Sequence, residues 1–153
     1  MNEPRHPTLS KNPKYYSHKS GQAGLDYELG ISVHDSRLVW MSAPYKASVH
    51  DITIFREQLK AKIPAGKNVI GDKGYRGEKA VISTPNSHDP HDVRRFKSWA
   101  RARHESFNAK IKNFAACLDT RFRHGIDNHR ICFEAVCVIV QYQLENGSPL
   151  FDV

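Results

Sequence analysis

Two acidic residues stand in contexts where carboxylates commonly do chemistry. The first, Asp72, directly follows the short apolar run Asn68-Val69-Ile70 and precedes the glycines Gly74 and Gly77. The run predicts a buried strand, and functional side chains of open α/β sheets gather at the carboxyl ends of strands. The same residue types also favour an ordinary turn, because Asp and Gly satisfy local backbone requirements. This segment alone leaves both interpretations open.

The second acid, Glu105, lies on a predicted helix over about 90–118. At about 100° per residue it falls away from the apolar stripe of that helix and shares a polar face with three other side chains. The stripe is Phe107, Ile111, Phe114 and Leu118, and the polar face is Arg101, Glu105, Asn108 and Lys112. Glu105 is then either an exposed acid supported by Arg101 one turn away, or a metal ligand flanked by cations that hold phosphate.

The positive charge is concentrated around this helix. The net charge is +7 and the pI is near 9.4. Between Arg94 and Arg130 there are ten Lys and Arg residues against three acids, so this segment carries the whole excess. Such a concentration is typical of a polyanion-binding surface, although a solvated helix face would have the same composition.

Composition excludes several other classes of protein. The content of 39% hydrophobic and 25% charged residues suits a globular domain. No stretch approaches the roughly 18 apolar residues of a membrane helix, and residues 1–20 lack the apolar core of a secretory signal. The three cysteines form no C-x-x-C pair, so we expect buried reduced thiols rather than a zinc site or disulfides.

The elements that position the two acids follow from periodicity. Residues 1–23 predict a loose lead-in, and residues 24–153 a single α/β domain. Leu25, Tyr27, Leu29, Ile31 and Val33 alternate with polar residues, which predicts a half-buried strand. Leu38 to Met41 predicts the return strand of a hairpin.

The remaining elements alternate along the chain. A helix is expected over about 50–63, with Ser48 as N-cap and Asp51 in the N3 role of a capping box. Strands are expected over about 68–70 and 80–84. A last helix over about 128–145, with Asp127 as N-cap, is apolar nearly all round and is therefore expected to be buried.

The order of these landmarks resembles the ribonuclease-H-like core of a DDE transposase, and in particular the Harbinger-type DDE superfamily endonucleases. The resemblance runs from about residue 11 to 153. Its landmarks are Tyr16-Ser17-His18-Lys19, the segment Leu25 to Trp40, Ser48-Val49-His50-Asp51, Gly71-Asp72-Lys73-Gly74-Tyr75-Arg76-Gly77, Ser83-Thr84-Pro85, and Arg101-Ala102-Arg103-His104-Glu105-Ser106-Phe107-Asn108. No single landmark is specific, but their order and spacing are.

The resemblance implies phosphodiester cleavage and strand transfer on DNA by two Mg²⁺ or Mn²⁺ ions held by three carboxylates. Asp72 would be the second acid and Glu105 the third. Side chains for DNA would be Arg101, Arg103, Asn108, Lys110 and Lys112, the cations among them contacting phosphate. The resemblance also implies a nuclear location and a separate DNA-binding partner protein, since the chain shows no helix-turn-helix or zinc finger.

One part of the family pattern is missing. The first catalytic Asp belongs on a central strand before the hairpin, and residues 1–23 contain neither an apolar run nor an aspartate. Asp26, on the polar face of the hairpin, and Asp51, which capping explains, are the two candidates for a replacement. We therefore expect a mixed ribonuclease-H-like sheet without its first strand, a truncated copy that does not cut DNA, or alternatively a non-catalytic module that binds DNA or protein.

Overall fold

The computed structural model of the chain describes residues 12–17, 22–114 and 125–151. The strands are β1 (Tyr16–Ser17), β2 (Gln22–Ala23), β3 (Leu25–Asp26), β4 (Leu29–Ile31), β5 (Leu38–Met41), β6 (Tyr45–Lys46), β7 (Val69–Ile70) and β8 (Ile82–Ser83). The helices are α1 (Asp51–Glu57), α2 (His91–Lys112) and α3 (Gly125–Glu145), with short 3-10 turns at Pro13–Tyr15, Lys60–Lys62 and Lys73–Tyr75. The expected α/β class is confirmed. Part of the segment expected to be loose forms the first turn and the antiparallel β1–β2 pair.

The hairpin expected from the alternation is present, but it is interrupted. β4 pairs antiparallel with β5, and β3 pairs with β6, with a register shift between Gly30 and Ile31. The Ser42 hydroxyl accepts the Glu28 N–H at 2.8 Å in the break between these two ladders. The parallel pair β7–β8 follows further along the chain.

The core lies between the apolar face of the hairpin and the helices α2 and α3. Its buried members are Phe107, Ile111, Phe133, Val136, Cys137, Val140, Leu144 and Leu150, and Tyr27, Leu29 and Ile31 of the hairpin pack against them. The Tyr27 ring stacks on Phe133 with 4.0 Å between centroids, and its hydroxyl hydrogen-bonds His129 Nδ1 at 2.8 Å. The apolar stripe expected on α2 therefore faces the core, apart from Leu118, which lies outside the described residues.

Two helix ends differ from expectation. The N-cap position of α1 is His50, with no side-chain capping bond, and Asp51 is the first helical residue. The capping box is not formed, because the Ser48 hydroxyl donates instead to the Lys14 carbonyl. α3 begins at Gly125, so Asp127 lies inside its first turn rather than at the cap.

The expectation that α3 is buried all round is wrong. Ile131, Val138 and Tyr142 are 57%, 69% and 65% exposed, on the side opposite the core. Neither Cys132 nor Cys137 forms a disulfide with a described residue; Cys137 is buried, as expected, but Cys132 is only half-buried. Cys117 lies outside the described residues. None of the helices described is long and apolar enough to cross a membrane.

Candidate functional site

A cleft of about 1980 Å³ lies beside the strand pairs β4–β5 and β7–β8. Its lining includes residues of β4, of β7, of α1 and of one face of α2. Both acids singled out in the sequence, Asp72 and Glu105, border this cleft. The fold therefore brings to one cavity two residues that are 33 positions apart in the chain.

Asp72 occupies the end of β7, as the apolar run predicts. It caps the 3-10 turn Lys73–Tyr75, and its Oδ1 accepts the Gly74 N–H at 2.7 Å. The turn interpretation and the site interpretation are thus compatible, because the residue that closes the turn also faces the cleft.

A second carboxylate meets Asp72 at Gly74. A Cβ at position 74 would lie 2.7 Å from Asp51 Oδ2 and 3.0 Å from Asp72 Oδ1. Both oxygens therefore border the space that any other side chain would fill, and only glycine leaves that space open. Asp51 is brought there because the first turn of α1 packs on the Lys73–Tyr75 turn.

A third carboxylate, Glu28, lies buried at the same end of the cleft and was missed by sequence reasoning. Only 6% of its surface is exposed. Its Oε2 accepts the Trp40 Nε1–H at 3.0 Å. Within the described part of the chain, its Oε1 has no hydrogen-bond partner.

Burial governs the protonation of this corner. Burial raises the pKa of Glu28 above its usual range, and the nearby charge of Asp51 adds to the rise, while the hydrogen bond from Trp40 opposes it. Burial also raises the pKa of Tyr75, with further contributions from Glu28, Asp51 and Asp72.

Glu105 lies in a more open part of the cleft. Its side chain is 72% exposed and its Oε1 lies 3.7 Å from Arg101 Nη2, an i,i+4 pair of the kind expected. Asn108 and Lys112 border the cleft on the same face of α2. The polar face deduced from helical spacing is therefore the face that lines the cleft.

His104 fixes this face of α2 against the hairpin. Its Nε2 lies 3.0 Å from the Leu29 carbonyl, which can only accept, so Nε2 carries the proton. Its Nδ1 then accepts from Asn108 Nδ2 at 3.2 Å. Asn108 is thereby committed in part to positioning His104.

The other basic side chains named above are placed differently. Arg103 is 2% exposed, and its Nη1 donates to the Phe151 carbonyl at 2.9 Å. Its guanidinium ties α2 to the segment after α3. Lys110 is half-buried and is not part of the cleft wall. Arg101 and Lys112 are the exposed cations of the polar face.

The described residues do not assemble a three-carboxylate, two-metal centre. Across residues 12–17, 22–114 and 125–151, no group of three or more His, Cys, Asp or Glu is arranged to hold a metal ion. Asp72 already accepts a turn hydrogen bond, and Glu105 is largely exposed beside Arg101. The arrangement that the resemblance implies therefore does not fit these residues as they stand.

The comparisons with known proteins give one match. The profile of a family described as DDE superfamily endonuclease matches residues 3–141. No match was found among curated proteins or among solved structures.

Proposed function

Because the chain belongs to the DDE superfamily endonucleases, we propose that it binds DNA along the cleft but does not cut or join DNA as written. Endonucleases of this family act on DNA and generally use divalent metal ions. The observation that carries the proposal is the cleft itself, which is lined by Asp72 and by the polar face of α2. Among the residues that the structure describes, no group of three or more carboxylates is arranged there to hold a metal ion.

The missing carboxylate is attributed to a missing strand. Among the described residues β4 pairs only with β5, and β7 pairs only with β8, while β4 and β7 both face the cleft. This gap supports the proposal that the first strand of a ribonuclease-H-like sheet, with its Asp, belongs between them. The Harbinger subtype, a nuclear location and a separate DNA-binding partner protein are parts of the same proposal that rest on the motif order alone.

The exposed cations of α2 would supply DNA affinity. Arg101 and Lys112 line the cleft wall and would contact phosphates without reading base sequence. Asn108 and Lys110 lie on the same helix and would be additional DNA contacts next to Arg101 and Lys112. Arg103 is assigned a structural role instead, because its guanidinium is buried against Phe151.

DNA binding is tested by fluorescence anisotropy with a labelled duplex at several salt concentrations. Each phosphate contact contributes about 0.9 to the slope of log K against log salt. Arg101→Ala and Lys112→Ala should each lower the slope by about 1. Lys79→Ala, an exposed lysine outside the cleft wall, is the matched control and should leave the slope unchanged. Equal effects of all three substitutions would contradict a DNA path along the cleft.

Catalysis is tested separately on supercoiled DNA. No nicking is expected with Mg²⁺ or Mn²⁺. Metal-dependent nicking that Asp72→Asn abolishes would show that the carboxylate set is functionally complete and would refute the inactive assignment.

A further inference from the structure

The helix α3 has a second apolar face, on the side opposite the core. A surface helix normally presents polar side chains on that side. In α3 the same side carries Ile131, Ala135, Val138 and Tyr142, and all four are exposed. An apolar face on each side is typical of a helix that is covered on both sides, whereas the described chain covers only one of them.

The spacing of these four residues, here called the outer face, predicts what covers it. They follow one another at intervals of four, three and four positions. At about 100° per residue they lie within about 60° of one another around the helix axis. Alternating intervals of three and four are the a and d positions of a heptad, the pattern with which one helix packs along another. The outer face therefore favours a second helix as its partner.

The outer face is complementary to itself when two copies of α3 lie antiparallel. In that alignment Ile131 of one copy lies opposite Tyr142 of the second copy, and Ala135 lies opposite Val138. Each layer then joins a smaller side chain to a larger one. A two-fold axis between the copies repeats both layers, so one pattern on one chain supplies the whole interface.

The charge at the end of the helix also favours the antiparallel alignment. Glu145 is exposed and lies three positions beyond Tyr142, at the edge of the outer face. In the antiparallel pair it lies beside the first turn of α3 in the second copy, where the helix dipole is positive. A parallel pair would instead bring the two copies of Glu145 together, and like ends of the two dipoles with them.

The area of the outer face is sufficient for a weak dimer. Ile131, Val138, Ile139 and Tyr142 are 45–69% exposed, which leaves on the order of 400 Å² of apolar surface on each chain. Two copies with their polar rim would bury roughly 1,000 Å² in total, at the lower end of specific interfaces. Contiguous apolar patches of this size commonly mark interaction sites.

We infer that two copies of the chain associate through the outer faces of their α3 helices, in antiparallel alignment, as a weak reversible dimer. None of the residues of α3 lines the cleft, so this surface is separate from the one proposed for DNA. The inference goes beyond the proposed function and does not depend on it, because association is measured without DNA.

The test is sedimentation equilibrium of the full chain across a series of concentrations. We expect a monomer–dimer equilibrium with a dissociation constant on the order of 10 µM. Val138→Glu should weaken the dimer at least about hundredfold, because like charges would meet beside the two-fold axis. Tyr142→Ala, which adds no charge, should weaken it at least about tenfold, because a large aromatic contact is lost.

Two further variants control for charge and alignment. Val39→Glu makes the same change at a residue of β5 that is 64% exposed, against 69% for Val138, but that lines the cleft instead. It should leave the dissociation constant unchanged. Glu145→Gln should weaken the dimer about threefold or more, since two favourable contacts with the helix dipoles are lost. Circular dichroism shows that each variant is folded.

Four outcomes would overturn the inference. A chain that stays monomeric at every concentration would leave the outer face to a different partner. A dimer that is as tight in Val138→Glu as in wild type would place the interface elsewhere. Equal weakening by Val39→Glu and Val138→Glu would indicate a general effect of added negative charge. A tighter dimer in Glu145→Gln would contradict the antiparallel alignment.

Discussion

Replacing Glu28 with Gln should stabilise the chain at neutral pH. The wild-type carboxylate is 6% exposed and leaves Oε1 without a partner among the described residues, at a cost of about 1–3 kcal/mol. In the variant, the amide oxygen still accepts from Trp40, and no buried carboxylate oxygen is left without a donor. The hydrogen bond from Trp40 becomes weaker in the variant, because its acceptor is a neutral amide instead of a carboxylate. This loss reduces the gain in stability by about 1 kcal/mol. A net gain of about 1 kcal/mol remains, or about 2–4 °C in melting temperature for a chain of this size.

The pH dependence of the free energy of unfolding provides a second test of this prediction. The pKa of Glu28 is raised in the folded protein, so the folded state disfavours its ionised form. That penalty is absent below the ordinary carboxyl pKa of about 4.3 and grows as the pH rises through the folded value. The advantage of Glu28→Gln should therefore vanish near pH 4 and reach its full size above the folded pKa.

The assay is urea unfolding followed by circular dichroism in EDTA, for both proteins across this pH range. A variant that is less stable than wild type by 1 kcal/mol or more at neutral pH in EDTA would refute the reasoning, because it would show that the ionised carboxylate is well satisfied.

Other substitutions test the packing and the acid response. Phe133→Ala should cost about 3–5 kcal/mol in urea unfolding, because a fully buried ring at the centre of the core is removed. Gln141→Ala should cost about 1–3 kcal/mol, since Gln141 Oε1 accepts the Leu38 N–H at 2.7 Å and that donor would lose its partner. The pKa of Asp89 is lowered chiefly by its hydrogen bond from Lys97, so its stabilising effect is present above the ordinary carboxyl pKa and is lost as the pH falls. The difference in urea midpoint between wild type and Asp89→Asn should therefore shrink below about pH 4, and a difference independent of pH would contradict this.

The sequence predicts elements well where one local pattern dominates. Period-two alternation identifies the hairpin, and the stripe through Phe107 and Ile111 identifies the inner face of α2. The capping box failed because the Ser48 hydroxyl bonds a carbonyl 34 residues away, which no local pattern reveals. α3 was expected to be buried because apolar residues surround it, but composition does not say whether the rest of the chain covers every face.

The candidate site was predictable only in part for similar reasons. Asp72 follows from a strand and a turn, and Glu105 from helical spacing, so both were identified locally. Glu28 belongs to the polar face of the alternating segment, which alternation treats as exposed, yet its side chain is buried and bonded to Trp40. The approach of Asp51 to Asp72 depends on how α1 packs on the turn at Gly74, which is a tertiary contact.

The hairpin can complete its contacts during synthesis only after α3 has been translated, because its hydrogen-bond partners lie far along the chain. Tyr27 finds its hydroxyl partner in α3, 102 residues later, and Leu38 finds its own 103 residues later. At the usual 5–20 residues per second, translation of that interval takes roughly 5–20 s. During that time the apolar face of the hairpin is exposed to solvent, because α3 has not yet been made. Such non-local contacts also form slowly once both partners are present. A ribosome that stalls before α3 would leave a nascent chain with exposed apolar surface. Chaperone binding to the nascent chain should therefore be highest in the interval before α3 is translated.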